Sequence, residues 1–133
     1  MPDLPRILVT GSRNWRDRQA IRDALDEALR RYGPFVLVHG ACPPRWDGKP
    51  GADALADEWG MDHRYLGVRV ERHPADWDRY GNGAGPVRNR EMVEAGALLC
   101  LAFPLGESPG TKGCMSLADA AGIPVIEPAR SLQ

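Results

Sequence analysis

The feature that most constrains this chain is a set of apolar runs that do not alternate. "RILVT" (6–10), "FVLVH" (35–39), "ALLCLAF" (97–103) and "IPVIE" (123–127) are nearly continuous in apolar character. A strand with one wet face alternates apolar and polar residues, whereas a strand covered on both faces does not. These runs therefore read as strands of a parallel sheet with helices over both faces. A fifth segment, "HRYLGVRVE" (63–71), alternates more and suits a less buried strand.

Helical patterns fall between the runs. Over residues 17–31, Ala20, Ile21, Ala24, Leu25, Ala28 and Leu29 share one helical face, with Asp17 as N-cap and Gly33-Pro34 as stop. Further helices are predicted from Ala52 to Trp59 closed by Gly60, over 86–95, and over 112–121 closed by Gly122. Strands alternating with helices imply right-handed crossovers and a three-layer α/β/α sandwich with a mainly parallel sheet. The length of 133 residues fits one domain, and no repeat, low-complexity tract or long linker divides it.

Composition narrows the function classes. Apolar residues make up 43% of the chain, enough for a core, and the net charge of -1 supplies no global basic field for nucleic acid or acidic membranes. The three cysteines, Cys42, Cys100 and Cys114, show no Cys-x-x-Cys spacing, and Cys100 reads as a core thiol. A reduced, cytoplasmic setting is the expectation. "MPDLPR" lacks the pattern of a signal peptide, and the longest apolar run, about a dozen residues, is too short for a membrane span.

In an open α/β sheet, ligands bind beyond the carboxyl ends of the strands. Three of the predicted strands run there into glycine-bearing loops: "VTGSRNW" (9–15), "VHGACPPRWDGKPGAD" (38–53) and "AFPLGESPGTKG" (102–113). Gly11 permits close backbone approach, Ser12 offers a hydroxyl and Arg13 a planar fork for phosphate or carboxylate. Gly51 and Ala52 open one helix, and Gly110, Thr111, Lys112 and Gly113, following the ligand candidate Pro109, open another, where free backbone N–H groups suit an anion. Any one such turn is common punctuation; three on one edge point to a phosphate or nucleotide site. The chain lacks both G-x-x-x-x-G-K-[ST] and a G-x-G-x-x-G after the first strand, so neither a P-loop NTPase nor a usual dinucleotide dehydrogenase is expected.

A fourth cluster, "GAGPVRNREMVEAG" (83–96), places Arg88, Asn89 and Arg90 near a helix N-terminus, where cations oppose the dipole. Arg88 and Asn89 read as ligand groups, and Arg90 as a solvated residue paired with Glu94. Trp15 and Trp77 lie in loops beside arginines and could stack on a base; Trp59 reads as core, and Trp46 sits in a possible flap. His39 can orient a ligand, act in acid–base work or serve as a hydrogen-bonded structural group. His63 and His73 carry no motif, and no metal spacing or cofactor signature is present.

In this order, "VTGSRNW", "VHGAC…GADALADEWG", "GAGPVRNREMV", "LCLAFP" and "PGTKG…ADAAGIPV" resemble the SLOG superfamily, closest to its YspA-type branch found in bacterial and phage genomes. The likeness runs from about Arg6 to Pro128. It implies a Rossmann-like domain over the chain that binds a nucleotide or nucleotide derivative, with Gly11, Ser12, Arg13, Gly40, Gly51, Ala52, Asp53, Arg88, Asn89, Gly110 and Thr111 at the site. Relatives commonly dimerise, which makes a homodimer the expectation.

The resemblance leaves three functions open: sensing or sequestering such a ligand, Lonely Guy-like hydrolysis of an N-glycosidic or phosphate bond, and single-stranded DNA binding as in the DprA group. Hydrolysis would draw on Arg88 and Asp53. Placing "PGTKGC" on the hydrolases' P-G-G-x-G-T-x-x-E leaves Gly113 and Cys114 where acidic residues belong. The obvious carboxylate is then missing, with Asp53, Glu91 or Glu107 as substitutes. DNA binding is the weakest of the three, given the net charge of -1.

Overall fold

Residues 3–43 and 47–128 are described by the structure, a computed structural model. Strands β1 (Arg6–Gly11), β2 (Val36–His39), β3 (Arg69–Arg72), β4 (Leu99–Phe103) and β5 (Val125–Ile126) form one all-parallel sheet in the order β3-β2-β1-β4-β5. The architecture is that of a Rossmann-like fold.

Apolar continuity in the central strands has the expected cause. Ile7, Val9, Leu37, Leu99 and Leu101 face α1 (Arg18–Tyr32) and α2 (Ala52–Asp62), packing with Ile21, Leu25, Leu55 and Trp59. Their neighbours Leu8, Val38 and Cys100 face the opposite layer, where Met92 of α4 (Ala84–Glu94) and Cys114 and Ala118 of α5 (Pro109–Ala120) close a second core. A short helix, α3 (Trp77–Tyr80), precedes α4. Asp17 caps α1 by accepting the Ala20 N–H at 3.1 Å, and Gly33 ends that helix at φ +73°.

Several boundaries differ from the sequence reading; α4 begins at Ala84 rather than 86 and α5 at Pro109 rather than 112. Gly60 lies inside α2 rather than ending it: a Cβ there would sit 2.6 Å from Val70 Cγ2 and 2.9 Å from Leu37 Cδ2. Its role is to let helix and sheet approach. In the 63–71 segment, Arg64–Leu66 form a 3-10 turn that Gly67 ends in the left-handed region, so β3 starts only at Arg69. β5 is not covered on both faces; it is a two-residue edge strand with Ile126 45% exposed. No helix of the described residues is long and apolar enough to cross a membrane.

Candidate functional site

The chain leaves β1 for β2 on one side of the sheet and later returns to β4 on the other. The loops after β1 and β4 therefore diverge, and a crevice opens at their carboxyl ends. Ser12 N donates to Phe103 O at 3.0 Å, extending the β1–β4 ladder to the crevice floor. The resulting cleft has a volume of about 510 Å³, a size that accommodates small molecules.

Of the residues singled out from the sequence, Gly11, Ser12, Arg13, Gly40, Asp53, Arg88, Asn89, Pro109, Gly110 and Thr111 line this cleft. They come from the ends of β1 and β2, the starts of α2 and α5 and the middle of α4, which begins at Ala84, so Arg88 and Asn89 lie in its second turn rather than at its N-terminus.

The α5 end is built to leave donors free. Ser108 occupies its N-cap position in the left-handed region, with φ +37°. Its hydroxyl accepts the Leu105 N–H at 2.8 Å and donates to Leu105 O, so it does not cap the helix. Pro109 has no N–H, and the first helical bond is Lys112 N to Ser108 O at 2.9 Å. Among the described residues, the amides of Gly110 and Thr111 have no hydrogen-bond acceptor. Thr111 is itself buried.

Arg88 spans the cleft wall. Its Nε donates to Asn89 Oδ1 at 2.8 Å, and Nη1 donates to Gly40 O and, at 3.4 Å, to His73 O. Nη2 has only the Cys42 sulfur, at 3.8 Å, and so keeps donor capacity for a ligand. Gly40 makes room for this guanidinium; a Cβ there would lie 2.5 Å from Nη1. Asn89 passes the connection on, its Nδ2 donating to Gly110 O at 3.2 Å. Arg88 and Asn89 thus hold the start of α5 in place. Arg90 and Glu94 are both exposed and form no ion pair with each other, which corrects the pairing read from their spacing.

Five sequence candidates lie away from the cleft lining. Trp15 is 2% exposed, meets Phe103 edge-on at a centroid distance of 5.3 Å and donates Nε1 to Asp17 O. It belongs to the core rather than to a base-stacking surface. His39 Nδ1 accepts the Ala41 N–H at 2.9 Å, which requires that nitrogen to be unprotonated, and Nε2 faces Asp57 Oδ2 at 2.7 Å. Both ring nitrogens are thereby used within the protein. The Ala52 amide, expected to hold phosphate, donates instead to Ser12 O at 3.0 Å. Gly51 is pressed against Arg13, whose Cα would be 2.5 Å from an added Cβ. Lys112 is exposed and does not line the cleft.

Gly11 also serves packing: an added Cβ would stand 2.4 Å from Ala52 Cβ. Trp77 is 56% exposed on α3 and does not line the cleft, and Trp46 lies outside the described residues.

The lining also includes Asn14, Cys42, Leu105, Glu107 and Ser108. Ser108 carried a readable signal, a serine immediately before the proline that opens a helix. Cys42 carried none; burial pushes its thiol up, the nearby Asp53 charge adds to this, and Arg88 opposes it. Glu107 is the exposed acidic group of the lining and Asp53 the buried one.

The model of YAcAr, the YspA, cpYpsA-related SLOG family, matches residues 5–80, which run from the start of β1 through α3. The chain is also similar to the Gene 61 protein of Mycobacterium phage D29: 52% identical over 125 residues, covering 91% of this chain and 94% of that protein.

Proposed function

This chain belongs to the YspA, cpYpsA-related SLOG family, and from that premise we propose that it binds a nucleotide or nucleotide derivative at the carboxyl edge of its sheet, as a sensor or sequestering protein. Membership supports a nucleotide-related binding or processing role in general. The observation that carries the finer reading is the pair of acceptor-free amides, Gly110 and Thr111, at the start of α5 in the switch-point cleft. A phosphate oxygen would accept both, at the positive end of the helix dipole. Arg13 and Arg88 Nη2, which line the same cleft, would add charge.

The "PGTKG" segment is then a cradle made of main chain, with Lys112 at most a distant charge. Asp53 and Glu107 both reach the cleft, and they favour hydrolysis of the ligand as the second reading. Binding is preferred because laying "PGTKGC" on the hydrolases' motif leaves Gly113 and Cys114, the latter buried in α5, at the positions of their acidic residues. The same reading includes a homodimer and a cytoplasmic setting, the latter in keeping with three unpaired cysteines.

Calorimetric titration with AMP, ADP-ribose, NAD and cyclic nucleotides tests this. At least one is expected to bind, and silence across the whole panel overturns the reading. Gly110→Ala sharpens the test, because an added Cβ meets no protein atom within 4 Å. Its folding should be intact while ligand affinity falls. Release of free base or ribose phosphate on long incubation would move the assignment to the hydrolase.

A further inference from the structure

Asp53 stands out among the cleft groups. It is the second residue of α2 and only 6% exposed, yet it lines the cleft. Among the described residues its carboxylate accepts the Cys42 N–H, at 3.2 Å on Oδ2. No described lysine, arginine or histidine lies within ion-pair distance of it. A carboxylate offers about four lone-pair sites, and a buried one is costly when they go unused. The remaining acceptor capacity faces the space a ligand would fill.

The lining mixes two kinds of group. Gly110, Thr111, Arg13 and Arg88 offer donors and positive charge, while the buried Asp53 and the exposed Glu107 offer acceptors. An occupant that suits both carries an anionic group at one end and neutral hydrogen-bond donors at the other. Two adjacent hydroxyls match the paired oxygens of a carboxylate, whereas a second phosphate would be repelled. We propose that Asp53 is a specificity residue that accepts the vicinal hydroxyls of a ribose 5-phosphate moiety, so that the site selects ribonucleotide over 2′-deoxy ligands and over ligands phosphorylated on those hydroxyls. This rests on the nucleotide-binding reading and deepens it.

Titrating ¹⁵N-labelled full chain with ribose 5-phosphate, 2-deoxyribose 5-phosphate and inorganic phosphate, followed by NMR, tests the subsite separately from the cradle. The expected result is shifts at the Gly110 and Thr111 amides, with ribose 5-phosphate bound at least about tenfold more tightly than the deoxy sugar. In Asp53→Asn the preference should drop to about twofold or less, with the amide shifts retained. Equal affinity of the wild-type chain for the two sugars, with those amides still shifting, overturns the subsite and leaves the phosphate reading standing. Undiminished preference in Asp53→Asn also overturns it. An absence of amide shifts with all three probes removes the cradle and the subsite together. The wild-type comparison decides the matter even if the variant fails to fold.

Discussion

Gly11→Ala is the sharpest probe of how this edge of the sheet is assembled. An alanine Cβ at residue 11 would sit 2.4 Å from Ala52 Cβ, 2.9 Å from Phe103 Cβ and 3.0 Å from Phe103 O. Carbon atoms in contact prefer at least about 3.5 Å, so the closest approach is short by about 1 Å. None of these atoms is the end of a flexible side chain. α2 cannot retreat freely, because Ala52 N is bonded to Ser12 O at 3.0 Å. Overpacking of this kind costs about 1–3 kcal/mol, and rigid neighbours place this site near the top of that range.

For a chain of this size, 3 kcal/mol lowers Tm by roughly 10 °C. Urea and thermal melts followed by circular dichroism would measure it, with an unchanged m-value. Adding Ala52→Gly removes the nearest clashing atom and should recover about 1 kcal/mol or more beyond the helix cost of the new glycine, a coupling that marks direct contact. A Gly11→Ala protein within about 0.5 kcal/mol of wild type, or strict additivity in the pair, would refute the packing role. The glycine would then be required only for close approach of a ligand.

Asn89→Ala removes two part-buried side-chain hydrogen bonds, to Arg88 and Gly110, and should cost about 1–3 kcal/mol in urea while also weakening ligand binding; unchanged stability would contradict the tie between α4 and α5. Burial pushes the Asp57 carboxyl up, but hydrogen bonds from Arg72 and His39 outweigh it and hold the folded pKa below the ordinary value. That stability is present above the unfolded-state pKa of about 4 and is lost as pH falls through the folded value. Asp57→Asn should therefore be less stable at pH 7 and lose less on acidification; parallel urea midpoints for both proteins from neutral pH down to about pH 3 would count against this. Burial pushes the Cys100 thiol up to about 12, and Cys114 is raised for the same leading reason. A thiol reagent at about pH 8 should modify Cys42 first and reach Cys100 and Cys114 only on unfolding; early labelling of Cys100 in native protein, followed by mass spectrometry, would contradict the packing of that core.

Local pattern carried the order of elements. The continuous apolar runs at 6–10, 35–39 and 97–103 became β1, β2 and β4, because covering a strand on both faces demands apolar residues at every position. Asp17 and Gly33 marked the ends of α1, because capping acts within a few residues. The convergence of the glycine loops after β1, β2 and β4 followed from the parallel topology, since parallel strands put all their carboxyl ends on one edge.

Tertiary structure decided what each loop does there. "GAD" and "PGT" look alike as helix openings, yet Ala52 N is consumed by Ser12 O while the amides of Gly110 and Thr111 have no acceptor. The difference lies in which distant segment stands before each helix, and no local pattern encodes that. Trp15 and Trp77 both sit beside arginines in the chain, but Phe103 covers one and nothing comparable covers the other. Capping and apolar periodicity are short-range in sequence, so they can be read directly. Burial and hydrogen-bond satisfaction depend on neighbours dozens of residues away, and only the folded chain assigns them.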